Sequence, residues 1–160
     1  MAEELARAIR KPIRFTKRPN PVAPDFRPDW KVSLLLLILH VSSRGGKSSL
    51  TRLHTLNWAV RTKKHQNEFF MTRTTDAPLF AFKVRFEPAF SRAIDLAAAA
   101  KLVNWVGGDR IELTPLGTAI AKSLLQQNEA FAPEVEFLER IGKRVTEDDA
   151  LKLVRGPDIA

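Results

Sequence analysis

The chain has 160 residues, 44% of them apolar and 28% charged, with 26 Lys plus Arg against 18 Asp plus Glu and a formal net charge of +8. That length suits one domain, or a domain with an arm, and the composition is that of a folded globular protein rather than a disordered chain. Cysteine is missing, which excludes disulfides, zinc–thiolate sites and cysteine nucleophiles.

The opening residues MAEELARAIRK mix acids and bases with no apolar stretch behind them, so no signal peptide is expected and the cytoplasm is the expected location. Residues 3–11 have the spacing of a short helix. Then Pro12, Pro19, Pro21, Pro24 and Pro28 follow in close succession. Proline removes backbone donors and pushes its neighbours to extended conformations, so residues 1–29 read as a basic, proline-rich arm. As a strap on a partner, the arm would be anchored by Phe15, Phe26 and Trp30; as a plain linker it would be solvated.

A helix is expected over 30–43, capped by Asp29. Its apolar run, Leu34 to Leu39, covers nearly the whole circumference, which predicts a central buried helix. The run is far short of the roughly 20 residues of a membrane span, so no membrane partner is expected. Arg44-Gly45-Gly46 stops the helix, and Ser48 or Ser49 caps a second over 49–62. Leu50, Leu53, Leu56 and Val60 line one face of it; Arg52, His54, Asn57 and Arg61 occupy the other. Residues 63–75 read as a short helix or a loop.

Residues 79–86, LFAFKVRF, alternate with period two and predict a half-buried strand. An alanine-rich helix over 88–101 comes next. LVNWVGGDRIEL predicts a β-hairpin turning at Gly107-Gly108, with Trp105, Ile111 and Leu113 packed on helices and 79–86 as a third strand. Thr114 caps and Pro115 opens a fourth helix. Beyond residue 127, two short helices are expected, one opened by Pro133 and one by a Thr146/Asp149 capping box, forming an acidic helical tail over 128–160.

This order of elements resembles a winged-helix domain across residues 30–127, with AAAAKLVNWVGGDRIELTPLGTAIAKSL as the stretch of closest likeness. The fold class is therefore α+β and mostly helical: a winged helix-turn-helix core with a small antiparallel sheet, an arm before it and helices after it.

The search for chemistry is negative. SRGGKSS is not a phosphate loop, because the glycine required five residues before Gly46 is Val41 and a helix, not a strand, precedes it. His40, His54 and His65 have no metal-ligand spacing; His40 reads as a helix-boundary or core residue, His54 and His65 as surface groups. No His–Asp–Ser set suggests itself, so no catalytic residue, metal or cofactor is expected and the chain reads as a non-enzyme.

Residues 32–76 carry 7 basic and 2 acidic side chains, a net +5, whereas residues 129–160 carry 5 and 8, a net −3. Arg44, Lys47, Arg52, Arg61, Lys63, Lys64 and Arg73 form the candidate surface for nucleic acid or an acidic partner. Helix 88–101 offers few groups that reach base edges, which disfavours direct sequence readout. Separate arm, core and tail surfaces suit an adaptor better, with Phe137 as a further partner contact on the tail. The stretch S-L-x-R-L-H-x-L-N-W-A at Ser49 to Ala59, followed by the winged half, resembles the small middle components of bacterial ABC-three-component systems, the Lamassu-type defence group. That resemblance implies a non-enzymatic accessory subunit bridging an SMC- or Rad50-like ATPase and a nuclease-type effector, with the ATP site and DNA sensing in the ATPase. The alternative is a dimeric winged-helix transcriptional regulator that reads an operator.

Overall fold

Six consecutive apolar residues leave a helix no polar face, and such a helix has to be enclosed. In the computed structural model, which describes residues 27–74, 84–127 and 129–155, helix α1 (Pro28–Ser42) is the enclosed element. Leu34 to Leu39 are all fully buried. The helix begins earlier than the expected Asp29 cap: Pro28 occupies the first turn and Arg27 the N-cap position, with no side-chain cap. Asp29 lies within that first turn, where its charge faces the positive end of the helix dipole.

A single 3-10 turn, Arg44–Gly46, ends α1, with Gly45 and Gly46 both at positive φ. Strand β1 (Lys47–Ser49) follows at once, then α2 (Leu50–Val60) and α3 (Lys63–Thr74). Ser49 caps α2 by accepting from the Arg52 backbone N–H at 3.1 Å. Residues 63–74 are thus helical rather than looped.

Helix α4 (Pro88–Ala99) buries Phe90, Ala93, Ile94 and Ala97. It ends with the Lys101 N–H donating to the Ala98 carbonyl and the Leu102 N–H to the Ala97 carbonyl, while Lys101 takes a left-handed φ of 59°. The expected hairpin follows as β2 (Val103–Val106) and β3 (Arg110–Leu113), with Gly107 and Gly108 at positive φ in its turn.

Among the described residues the third strand is β1, which the sequence pattern does not predict. Among the described residues the sheet runs β1-β3-β2, all antiparallel, with Ser48 opposite Ile111. Residues 79–83 lie outside the described residues, and Val84 to Glu87 approach α4 without regular structure. Lys-Ser-Ser carries no apolar alternation, so its strand comes from an open edge of β3 lying beside the exit of α1. Trp105, expected to be packed, is 45% exposed, because β2 is the outer strand; Ile111 on the middle strand is fully buried.

Helix α5 (Pro115–Gln126) starts as expected, with Thr114 Oγ1 accepting from the Gly117 N–H at 3.0 Å. Helices α6 (Ala132–Ile141) and α7 (Glu147–Arg155) follow. The capping box of α7 closes in both directions: the Thr146 N–H donates to Asp149 Oδ2 at 2.9 Å and the Asp149 N–H to Thr146 Oγ1 at 3.1 Å. Helix α1 packs against α4, α5, α6 and α2, and α7 packs on α2. The acidic segment therefore shares the core: Phe137, Leu138, Ile141, Val145 and Leu153 belong to the same buried cluster as Leu34 to Leu39. No helix among the described residues is long and apolar enough to cross a membrane.

Candidate nucleic-acid interface

The basic residues read from the sequence do not form one face. Arg52 is only 4% exposed. Its guanidinium donates from Nε to the Val145 carbonyl at 2.8 Å, and from Nη1 to the hydroxyls of Ser43 at 2.9 Å and Ser48 at 3.2 Å. Nη2 donates to the Ser42 carbonyl. This set ties together the end of α1, strand β1 and the α6–α7 turn. Arg52 is a structural clamp and not a surface contact. Burial pulls its pKa below the ordinary arginine value, the Glu147 carboxylate opposes this, and the neighbouring Arg44 charge adds to it.

Arg44 and Lys47 do reach solvent, and the fold gives them company. They line a cleft of about 290 Å³ together with Arg110 and Lys143, over a floor of Arg52, Val145 and Glu147. The strand register explains the grouping: Ser49 faces Arg110 and Lys47 faces Glu112, so Lys47, Ser49, Arg110 and Glu112 share the outer face of the sheet. Glu147 is held by β1, accepting from the Ser49 N–H at 3.1 Å and from its hydroxyl. Among the described residues Arg44, Lys47, Arg110 and Lys143 make no ion pair.

Arg61 follows the opposite end of α2, about 16 Å along its axis, and Lys63 and Lys64 open α3; all three are exposed. Lys64 Nζ lies 3.9 Å from Glu68 one turn on. Arg73 falls at the end of α3, and its side chain lies outside the described residues, as do Phe15 and Phe26. Of the proposed partner anchors, Trp30 is half-buried and stacks on Phe131 with ring centroids 4.0 Å apart. Phe137 is 3% exposed and meets Phe69 and Phe70 edge-on, so it is core and not a contact surface.

A buried polar network, unseen in the sequence, joins α1, α2 and α4. Lys31 is 1% exposed, and its Nζ donates to Glu87 Oε2 at 2.9 Å. Asn57 Nδ2 donates to the same oxygen at 2.9 Å. Burial tends to raise the Glu87 pKa, but the bonds from Lys31 and Asn57 and the charges of Lys31 and Arg61 hold it below the ordinary value.

His54, expected at the surface, is buried, stacked 4.2 Å from Phe86 with its Nε2 3.3 Å from Ser91 Oγ. Burial lowers its pKa to about 4 against the opposing charge of Glu87. A histidine beside a serine invites comparison with a hydrolase relay. Here, however, the buried Nδ1 has no hydrogen-bond partner, and Glu87 Oε2 is taken by Lys31 and Asn57. Among the described residues no acceptor holds Nδ1, so the third member of a relay to Ser91 is missing. His65 is half-buried, with Nδ1 3.0 Å from the Trp58 carbonyl.

Composition and sequence order carry no signal for the Lys31–Glu87, Asn57–Glu87 and His54–Ser91 encounters, whose partners lie 30 or more residues apart. No group of acidic or histidine side chains among the described residues suits a metal ion. No family model, curated protein or solved structure matches the chain.

Proposed function

We propose that this chain is a non-enzymatic winged-helix accessory subunit of a bacterial anti-phage SMC-like ATPase complex, bridging the ATPase and a nuclease-type effector and contacting DNA. The observation that carries the winged-helix reading is the sheet order. A short strand between the first two helices joins the hairpin on its β3 side, giving helix, strand, helix, helix, helix, hairpin with strands ordered β1-β3-β2. A hairpin packed behind the third core helix, α4, is the arrangement that the sequence resemblance implies.

The residues behind the family resemblance are spent inside the fold. Ser49 caps α2, Arg52 clamps β1, and Leu53, His54, Leu56, Asn57, Trp58 and Ala59 are buried. They support kinship of fold, and partner contacts then fall to the exposed surfaces. The exposed face of α4 presents Ser91, Arg92, Asp95 and Leu96, a poor set for reading base edges. That favours an adaptor over an operator-binding regulator.

The test is expression of the chain with the products of its neighbouring genes. Co-purification with an ATPase and an effector is the expected result. A chain that purifies alone, and prefers one DNA sequence by about a thousandfold over random DNA, would make it a regulator instead.

A further inference from the structure

Four cations converge on one cleft from three separate parts of the chain. Arg44 and Lys47 come from the exit of α1, Arg110 from the start of β3 and Lys143 from the α6–α7 turn. Crowding like charges works against the compact state unless an anion offsets them. The single carboxylate in the lining among the described residues, Glu147, is already engaged by Ser49. Glu112 stands opposite Lys47 in the ladder yet forms no ion pair among the described residues.

We propose that this cleft grips the phosphodiester backbone of DNA, with Arg44, Lys47, Arg110 and Lys143 as the phosphate contacts. The proposal deepens the DNA contact in the functional reading above and rests on that reading for its choice of polyanion. The anion fits the cleft's chemistry. Guanidinium groups bind phosphate through paired donors, and ammonium groups bind it as point charges. Arg44, Arg110 and Lys143 are exposed, so a strand passing over the rim meets all three.

The same lining disfavours other occupants. Among the described residues it has no aromatic ring on which a base would stack, which argues against a bound nucleotide. Its volume of about 290 Å³ lies at the bottom of the range for small-molecule sites. Among the described residues Val145 is its one apolar side chain, which leaves the anchor of an acidic peptide little to pack against. Arg52, a fifth cation in the lining, contributes a fixed positive charge while its donors stay committed to the protein.

The experiment is fluorescence anisotropy of the full chain on a labelled 20-base-pair duplex of arbitrary sequence, across sodium chloride concentrations. Wild-type binding should weaken steeply with salt, without sequence preference. Arg44→Ser with Lys143→Ser removes two contacts. The slope of log K against log salt should fall by about 2, and low-salt affinity by about tenfold or more. Arg44→Lys with Arg110→Lys keeps the charge and should keep the slope. Equal thermal midpoints identify the variants as folded. Lys143→Ser alone, with a slope change of about 1, serves if the double variant is not.

The proposal is overturned if wild-type protein leaves the duplex free, if the slope is unchanged, or if only Lys63→Ser with Lys64→Ser weakens binding. It is equally overturned if polyglutamate displaces the duplex at matched ionic strength. Co-purification with the ATPase alongside any of these results leaves the accessory-subunit reading standing. Cleft-dependent DNA binding without an ATPase partner removes that reading and keeps the site.

Discussion

The carbonyl oxygen of Leu102 lies against the α-carbon of Gly117, so close that a β-carbon at position 117 would stand 2.0 Å from it. The same oxygen accepts from the Thr114 N–H and from Thr114 Oγ1, both at 3.0 Å. Leu-Thr-Pro-Leu-Gly thus has a mechanical meaning. The threonine closes the base of the hairpin and caps α5, the proline starts the helix, and the glycine lets the helix touch the strand entry. Gly117→Ala forces backbone against backbone, and its cost should be at least about 3 kcal/mol. Urea denaturation checks this, with Thr118→Ala as a neighbouring control that should cost far less.

The Arg52 clamp gives a second expectation. Arg52→Met leaves the Ser42 and Val145 carbonyls without their buried donors, and the loss should be about 3 kcal/mol or more. Arg52→Lys should recover only part of this, since one ammonium cannot span acceptors on three elements. Paired denaturation curves decide it. Equal stability of the wild type and Arg52→Met would contradict the clamp.

His54 makes stability depend on pH. Its folded pKa, about 4, lies below the ordinary histidine value of 6.5, so the unfolded chain binds the proton more readily in that window. Stability is therefore full above pH 6.5 and falls as the pH drops towards 4, with a loss of about 2 kcal/mol between pH 7 and pH 5. His54→Phe keeps an aromatic ring between Phe86 and Phe90 and should flatten most of that slope. Denaturant midpoints at pH 7, 6 and 5 provide the measurement.

The Lys31–Glu87 pair should behave as a buried unit. Lys31→Met strands a partly buried carboxylate and is expected to cost about 3–5 kcal/mol. Lys31→Met with Glu87→Gln should cost clearly less than the two single changes added together. A double-mutant cycle of unfolding free energies measures the coupling, and strict additivity would show the pair to be inert.

Much of the scaffold was legible in the residues because local physics sets it. Apolar spacing marked α1, α2, α4 and α5, the glycine pair marked the hairpin turn, and Ser49, Thr114 and the Thr146/Asp149 box marked helix starts that the structure bears out. Each of those signals lies within a few positions of the feature it sets. Strand β1 was not legible, because Lys-Ser-Ser is a strand only where β3 offers it an edge.

The candidate site divides in the same way. An excess of basic residues around α2 could be counted from the chain, and so could the absence of cysteine chemistry. Which cations point outward could not, since helix periodicity places Arg52 and His54 on a polar face that α4 and α7 then cover. Only tertiary packing brought Lys143 and Arg110 to Arg44 and Lys47, and only packing set Lys31 against Glu87. The sequence determined the hairpin and most of the helices, which depend on neighbours in the chain; the tertiary structure decided strand β1 and the charges' company, which depend on neighbours in space.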